Sequence, residues 1–166
     1  MRRVSPRDET EFLGRVAASR SLHADWVAPP ANHEEFATWL RGARRRDVES
    51  LLVCRNDDRR VAGVLTLSQI FMRPFGNAYL GFYAFVPHAG RGLMTEGLDL
   101  TLRHAFGSMN LHRVEANVQP GNAASISLLR RLGFRLEGFS PRYLEVAGRW
   151  RDHERWAITV EERPET

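Results

Sequence analysis

The sequence contains no lysine and only one cysteine. The lone Cys54 excludes an internal disulfide and a cysteine-rich zinc site. Because it ends the apolar run Leu51-Leu52-Val53, we interpret Cys54 as a small buried hydrophobic residue rather than a nucleophile. All 24 basic residues are arginine, whose planar guanidinium groups suit phosphates and carboxylates, although biased codon usage also explains this composition.

The chain also lacks any long apolar segment. No run approaches the roughly 20 apolar residues that span a bilayer, and no apolar stretch of signal-peptide length follows residues 1–6. We therefore expect a cytoplasmic protein with no membrane partner. The 166 residues, of which 43% are hydrophobic and 27% charged, fit a single domain over residues 1–166. The net charge of +4 is compatible with an anionic ligand but requires no direct binding of nucleic acid.

Hydrophobic periodicity divides the chain into helices and strands. Strands are predicted over residues 2–4, 50–55, 60–69, 79–86, 114–118, 134–145 and 150–160, with a break at Pro141. Helices are predicted over residues 7–20, 33–43, 93–108 and 126–132, and residues 21–32 are predicted to form a loop. This order of elements indicates an α+β or mixed α/β fold with a single central sheet.

Two glycines, Gly90 and Gly92, lie between a predicted strand and a predicted helix that begins at Leu93. Glycine allows the backbone to curl so that successive N–H groups point into one small space. The first turn of the helix adds its own unpaired N–H groups and the positive end of its dipole. The segment therefore predicts a binding site for a di-anion such as a pyrophosphate, with an ordinary tight turn as the alternative.

A second informative segment surrounds Asn122. This residue precedes the predicted helix that contains Ile126, and it has the chemistry of an N-cap. Ser125 follows three residues later, in the first turn of that helix. His112 and His153 have no further ligands at a recognisable metal-binding spacing, so we expect no metal site.

Three separated blocks of the sequence resemble one family. They are Gly90-Arg91-Gly92-Leu93-Met94-Thr95-Glu96, Asn117-Val118-Gln119-Pro120-Gly121-Asn122-Ala123-Ala124-Ser125 and Leu132-Gly133-Phe134, followed by the closing segment from Tyr143 to His153. In this order and spacing they resemble the GNAT superfamily of N-acetyltransferases, and within it the RimJ/RimL-type enzymes that acetylate protein N-termini. The resemblance implies the acyl-CoA N-acyltransferase fold, in which helices flank a single, mostly antiparallel, splayed sheet.

The resemblance also implies where coenzyme A binds. The expected pyrophosphate ligands are the main-chain amides of Ala89, Gly90, Arg91, Gly92, Leu93 and Met94. Two of these positions depart from the family's pattern, since Ala89 replaces a polar residue and Met94 a small one. The pantetheine arm is expected along the backbone of Phe85 and Val86, with the Val86 amide polarising the thioester carbonyl. Gly81 is expected to form a bulge that splays its strand from the neighbouring one.

The tyrosine that protonates the departing thiolate in many relatives is replaced here by Leu129. Because it resembles the serine of the RimL branch, Ser125 is the candidate donor to the sulfur, with helix capping as its alternative role. Asn122 is expected to hold amide groups of the cofactor. The candidate bases are Glu145, Asp152 and Glu34. A substrate groove between the N-terminal helices and the last hairpin is expected to be lined by Trp26, Trp39, Tyr143, Trp150 and Trp156.

The implied reaction is transfer of the acetyl group of acetyl-coenzyme A to a primary amine, by direct attack in a ternary complex. The favoured acceptor is a protein N-terminus, with a ribosomal protein as one candidate. An α-amine, whose pKa is about 7.7–8.0, is partly neutral at physiological pH without a strong base. The alternatives are a small amine, such as a polyamine, amino sugar or antibiotic, and a non-catalytic acyl-coenzyme A sensor. The protein is expected to be a monomer or a homodimer.

Overall fold

One seven-stranded sheet forms the centre of the molecule, in a computed structural model that describes residues 1–163. Its strands are β1 (Arg2–Arg3), β2 (Glu49–Cys54), β3 (Val61–Phe71), β4 (Asn77–Ala84), β5 (Arg113–Val118), β6 (Arg135–Val146) and β7 (Arg149–Thr159). They lie in the order β1-β2-β3-β4-β5-β7-β6, and β4–β5 is the one parallel pair among the described strands. This arrangement confirms the predicted mixed α/β class with a mostly antiparallel sheet.

Helices cover both faces of the sheet. They are α1 (Glu9–Ala18), α2 (Arg20–His23), α3 (His33–Gly42), α4 (Leu93–Phe106) and α5 (Ala123–Arg131). Because side chains alternate along a strand, β2 directs Leu51 and Val53 to one face and Leu52 to the other. The first face packs against α4 and α5, for example at Leu98, and the second packs against α1 and α3, for example at Phe12. No helix within residues 1–163 is long and apolar enough to cross a membrane.

Several predicted boundaries differ from those in the structure. The predicted helix over residues 7–20 is α1 preceded by a 3-10 turn, Pro6–Asp8, and the predicted loop begins with the short helix α2. β4 ends at Ala84, two residues before its predicted end. The Phe85 carbonyl already belongs to a turn, in which it accepts hydrogen bonds from the N–H groups of His88 and Ala89. β6 runs through Pro141 instead of breaking there, and a register shift against β7 accommodates the proline.

The parallel strands β4 and β5 separate along their length. They pair only at Asn77 with Arg113, Ala78 with Val114 and Tyr79 with Glu115. Beyond these pairs β4 stays with β3 and β5 stays with β7, so the two halves of the sheet diverge. The expected splay is therefore present, but the bulge expected at Gly81 is wrong. Gly81 pairs in regular register with Thr66 of β3, and the irregular part of that ladder lies between Ser68 and Phe71.

Candidate active site

The gap between β4 and β5 opens into a cleft of about 530 Å³. Its walls come from α2, β4, the loop that follows β4, the first turn of α4, the end of β5, α5 and β7. Of the residues predicted from the sequence, the cleft brings together Ala89, Gly90, Gly92, Met94, Asn122 and Ser125. Arg91, Leu93, Phe85 and Val86 lie outside its lining. A concave site with a few polar groups is the usual form of a small-molecule site.

The loop between β4 and α4 offers unpaired main-chain donors at one end of the cleft. Gly90 and Gly92 have φ angles of +75° and +82°, a conformation that favours glycine. The amides from Gly90 through the first turn of α4 have no acceptor in the described part of the chain, since helical bonding begins with the N–H of Glu96. Ala89 differs, because its N–H donates to the Phe85 carbonyl at 2.9 Å. The loop and the positive end of α4 together suit an anion.

The unpaired edge of β4 supplies a second row of main-chain groups. Successive strand residues direct their amides alternately to the two sides, and the N–H of Phe85 donates to β3 at 2.8 Å. The N–H groups of Phe82 and Ala84 therefore face the cleft. Val86 is already bonded elsewhere, because its N–H donates to the buried Ser19 Oγ at 3.0 Å. The expectation that Phe85 and Val86 hold the pantetheine does not fit these bonds, and the free edge ends two residues earlier than expected.

The first turn of α5 forms another part of the cleft wall. The side-chain oxygen of Asn122 accepts the N–H of Ser125 at 3.1 Å, so the predicted N-cap is confirmed. The Ser125 hydroxyl makes no hydrogen bond to any residue in the described range, which leaves it available to a ligand. Leu129, which stands where many relatives have a tyrosine, is fully buried.

Three buried polar atoms of the cleft wall lack a protein partner within residues 1–163. They are the Tyr83 hydroxyl, Asn117 Oδ1 and His23 Nδ1. Burial raises the pKa of Tyr83, so its hydroxyl stays protonated. Burial also lowers the pKa of His23, although the Ala84 carbonyl bonded to Nε2 opposes this shift. Because buried polar groups are normally paired, such a concentration is typical of a site that binds a polar ligand.

The aromatic residues expected to line a substrate groove are mostly elsewhere. Trp26 does line the cleft. Trp39 stacks in the core formed by α1 and α3, and Trp156 is buried in the core on the other face of the sheet. Trp150 is exposed on the β6–β7 hairpin, and Tyr143 is half-buried on β6. The spacing of these aromatic residues in the sequence does not predict which of them line the cleft, because that depends on the face of the sheet on which each side chain lies.

Most of the chain matches the sequence model of one protein family. Residues 1–135 match the model of the acetyltransferase (GNAT) domain. The chain belongs to the GNAT family of acetyltransferases. The glycine loop, α4, the splayed strands and α5 all fall within the matched part of this GNAT domain, which ends at the first residue of β6.

Two relatives whose names state a substrate differ in the class of that substrate. The GNAT domain is 38% identical over 104 residues to the ribosomal protein uS5-alanine N-acetyltransferase of Escherichia coli, over 63% of this chain and 54% of that protein. It is 32% identical over 137 residues to the L-methionine sulfoximine/L-methionine sulfone acetyltransferase of Pseudomonas paraeruginosa, over 78% of this chain and 75% of that protein. The chain spans about half the length of the first curated relatives that it matches.

A solved structure supports the same family. RimJ of Mycobacterium smegmatis, in complex with CoA-disulfide, superposes with a TM-score of 0.88 at 30% sequence identity. The superposition covers 99% of this chain and 83% of the M. smegmatis chain. The likeness therefore extends to β6 and β7, beyond the residues that the family model matches.

Proposed function

We propose that this GNAT domain transfers the acetyl group of acetyl-CoA to the N-terminal α-amine of a protein. The observation that carries the proposal is the row of unpaired N–H groups from Gly90 through the first turn of α4, at the end of a cleft. Such a row, together with the helix dipole, suits the doubly charged pyrophosphate of coenzyme A. The CoA-disulfide bound to M. smegmatis RimJ supports a coenzyme A ligand for this fold.

In this proposal the main chain binds most of the coenzyme. The amides of Gly90, Arg91, Gly92, Leu93 and Met94 hold the pyrophosphate, whereas the Ala89 amide is already used within the protein. The pantetheine lies along the open edge of β4 as an added strand. The N–H of Phe82 or Ala84, rather than that of Val86, polarises the thioester carbonyl, because these groups face the cleft.

The proposed donor to the departing sulfur is Ser125. The Ser125 hydroxyl lines the same cleft and has no protein acceptor in the described range, whereas Leu129 has no proton to give. The thiol of coenzyme A is already a fair leaving group, so a single hydrogen bond to the sulfur is sufficient assistance. Asn122 caps the helix that carries Ser125 and is the proposed contact for the amide groups of the cofactor.

The choice of acceptor follows the relatives. By its name, the E. coli relative acts on an alanine of ribosomal protein uS5, which supports a protein N-terminus, with a ribosomal protein as its source. The P. paraeruginosa relative acts on methionine sulfoximine and methionine sulfone, which makes a small amine the second candidate. An N-terminal α-amine also needs less help from a base than an amine of higher pKa.

A comparison of three acceptors tests this proposal. Release of free thiol from acetyl-CoA is followed with a peptide that begins with alanine, with the same peptide blocked by N-terminal acetylation, and with methionine sulfoximine. We expect rapid release with the unblocked peptide and only background release with the blocked one. Turnover of methionine sulfoximine without turnover of the peptide would show that the protein acceptor is wrong.

A further inference from the structure

We infer that His153 of β7 is the proton acceptor for the attacking amine, an inference that rests on acetyl transfer in this cleft but not on which amine is used. His153 is only 4% exposed, and it lines the cleft. Its Nδ1 lies 2.9 Å from the carbonyl oxygen of Arg151. Because a carbonyl can only accept, Nδ1 carries the hydrogen, and the neutral ring has its lone pair on Nε2.

The lone pair of His153 is open to the cleft. Nε2 makes no hydrogen bond within the described residues. Unlike the unpartnered polar atoms that are fully buried, it keeps some accessible surface, so a ligand can reach it. The other histidine of the cleft wall, His23, is oriented the opposite way. Its Nε2 donates to the Ala84 carbonyl at 2.8 Å, and its free Nδ1 is sealed from solvent. Of the two histidines, only His153 presents a base to a ligand.

Within residues 1–163 no aspartate or glutamate lines the cleft. Two of the bases considered from the sequence, Glu34 and Glu145, are exposed outside it. The third, Asp152, accepts the N–H of Arg142 at 2.7 Å in the β6–β7 hairpin. Since adjacent side chains of a strand point to opposite faces, Asp152 and His153 are directed apart. The cleft therefore provides a histidine, and not a carboxylate, to take a proton.

The register of β5 and β7 places Asn117 next to His153. Asn117 pairs with Arg155, so His153, two residues along β7, lies diagonally across from it on the same face of the sheet. The buried Oδ1 of Asn117 has no partner in the described chain, so the wall beside His153 carries an unsatisfied polar atom. The opposite face of β5, which carries Val118, packs against α5, the helix that contains Ser125. The proton acceptor and the donor to sulfur thus reach the cleft from opposite faces.

This placement completes the transfer of protons in the reaction. The lone pair of the neutral amine forms the C–N bond to the acetyl carbon, and one N–H proton passes to His153 Nε2. The C–S bond breaks with its electron pair on sulfur, the Ser125 hydroxyl donates a hydrogen bond to the departing thiolate, and the thiolate then takes a proton from solvent water. His153 then returns its proton to solvent, which restores the neutral ring for the next turnover.

The test replaces His153 without removing its hydrogen bond. In His153→Asn the side-chain amide can still donate to the Arg151 carbonyl but cannot take a proton, and His153→Gln is the second variant. The control is His112→Asn, because His112 is exposed, is paired with Glu161 and lies outside the cleft. Binding of CoA, measured by calorimetry, should stay within about twofold of the wild-type value in all three variants, which also shows that they fold.

The readout is kcat/KM from pH 6.5 to 9.5 with two acceptors, an amine that the wild type acetylates and a hydrazide of lower pKa. Both His153 variants should lose about 10²-fold at neutral pH with the amine. The loss should shrink as the pH rises and hydroxide takes over, and it should be several-fold smaller with the hydrazide. The other groups near His153 that titrate or carry charge are unchanged in the His153 variants, so they affect the pH profiles of wild type and variants alike. They are His23 of α2, Tyr83 of β4, Arg131 of α5, Tyr143 of β6, and Arg151 and Arg155 of β7.

Two results would overturn the inference. One is full activity of both His153 variants, and the other is a loss of the same size at every pH and with both acceptors, which a structural role would produce. If the wild type acetylates a small amine but no peptide, the proposed protein acceptor fails, and the same comparison of variants is made with that small amine. The two proposals therefore fail separately.

Discussion

Met94 lies against Gly63, and the two residues fit only because Gly63 has no side chain. A Cβ built on Gly63 would overlap Met94 Sδ and would come within 2.7 Å of the Tyr83 carbonyl oxygen. Since Gly63 is in β3 and Met94 is in the first turn of α4, this contact seats the end of the glycine loop on the sheet. It also explains how a methionine replaces the small residue of the family's loop, because the side chain packs on the sheet and the amide stays unpaired.

Gly63→Ala should destabilise the protein, because the methyl group has no space between Met94 and the backbone of Tyr83. Overpacking of this kind costs about 1–3 kcal/mol. The free energy of unfolding, from denaturant titration, measures the loss. The control is Gly14→Ala, since a Cβ at this position of α1 meets no atom within 4 Å and should stabilise the helix by about 0.5–1 kcal/mol. Equal stability of Gly63→Ala and the wild type would contradict the contact.

Gly92→Ala should weaken CoA binding more than it affects stability. Alanine at a φ of +82° costs about 1–2 kcal/mol, and relaxation of that strain turns the loop amides away from the ligand. We expect at least a tenfold loss of CoA affinity by calorimetry. Gly148→Ala is the matched control, because Gly148 has a φ of +75° with free space around it, at the tip of the β6–β7 hairpin. If both variants lose affinity equally, the loop has no special part in binding.

Asn122→Ala should lose both a helix cap and part of the coenzyme affinity. Removal of the bond to the Ser125 amide costs about 1 kcal/mol of stability. Asn32→Ala removes the equivalent bond to Glu35 at the start of α3, and should cost the same stability with no change in CoA affinity. Equal CoA affinity of wild type and Asn122→Ala would show that Asn122 is only a cap.

Ser125→Ala should lower kcat by about tenfold with little change in CoA affinity, since a single hydrogen bond to the sulfur is lost in the transition state. The control is Ser127→Ala, because Ser127 lines the same cleft from the same helix but has no proposed role. Thiol release under saturating acetyl-CoA and amine measures the effect. Wild-type kcat in Ser125→Ala would remove the serine from the mechanism.

Glu137 should make the protein acid-sensitive. Hydrogen bonds from Arg113, which reach across β7, lower the pKa of this carboxyl to about 2, although partial burial opposes the shift. A carboxyl whose pKa is below its ordinary value of about 4.3 stabilises the fold above that pH, and the contribution disappears as the pH falls towards 2. Because the pair is partly exposed, we expect it to contribute only about 1 kcal/mol.

Glu137→Gln removes this titration. Between pH 4.5 and 2, the free energy of unfolding of the variant should fall less steeply than that of the wild type, as measured by denaturant titration at fixed pH. The two proteins should differ most in stability near neutral pH and converge in acid. Parallel curves over the whole range would mean that the ion pair with Arg113 does not form in solution.

The features predicted correctly from the sequence depend on residues that are neighbours along the chain. The alternation of Val114, Ala116 and Val118 indicates a strand, since one face of β5 packs against a helix and the other does not. The N-cap at Asn122 acts three residues ahead, and the positive φ angles of Gly90 and Gly92 are a property of glycine itself. These local rules were sufficient for most of the elements, for the glycine loop with its unpaired amides and for the family.

The errors concern groups whose partners are distant in the sequence. Phe85 and Val86 fall at the end of an apolar run, but bonds to β3 and to Ser19, which lies between α1 and α2, withdraw their main-chain groups from the cleft. The bulge assigned to Gly81 and the aromatic groove failed for the same reason, because they depend on strand register and on the choice of sheet face. No pattern along the chain specifies either.

The sequence by itself determined that the backbone between β4 and α4 presents unpaired donors, because glycine geometry and a helix start are local properties. Only the tertiary structure decided which polar side chains share the cleft with those donors. Tyr83, Asn117 and His153 come from three strands. They line one cleft because β4 stays paired with β3 while β5 stays paired with β7, which opens a gap between β4 and β5. That divergence is a consequence of how the strands pair, and pairing energies depend on the whole sheet and not on any one segment.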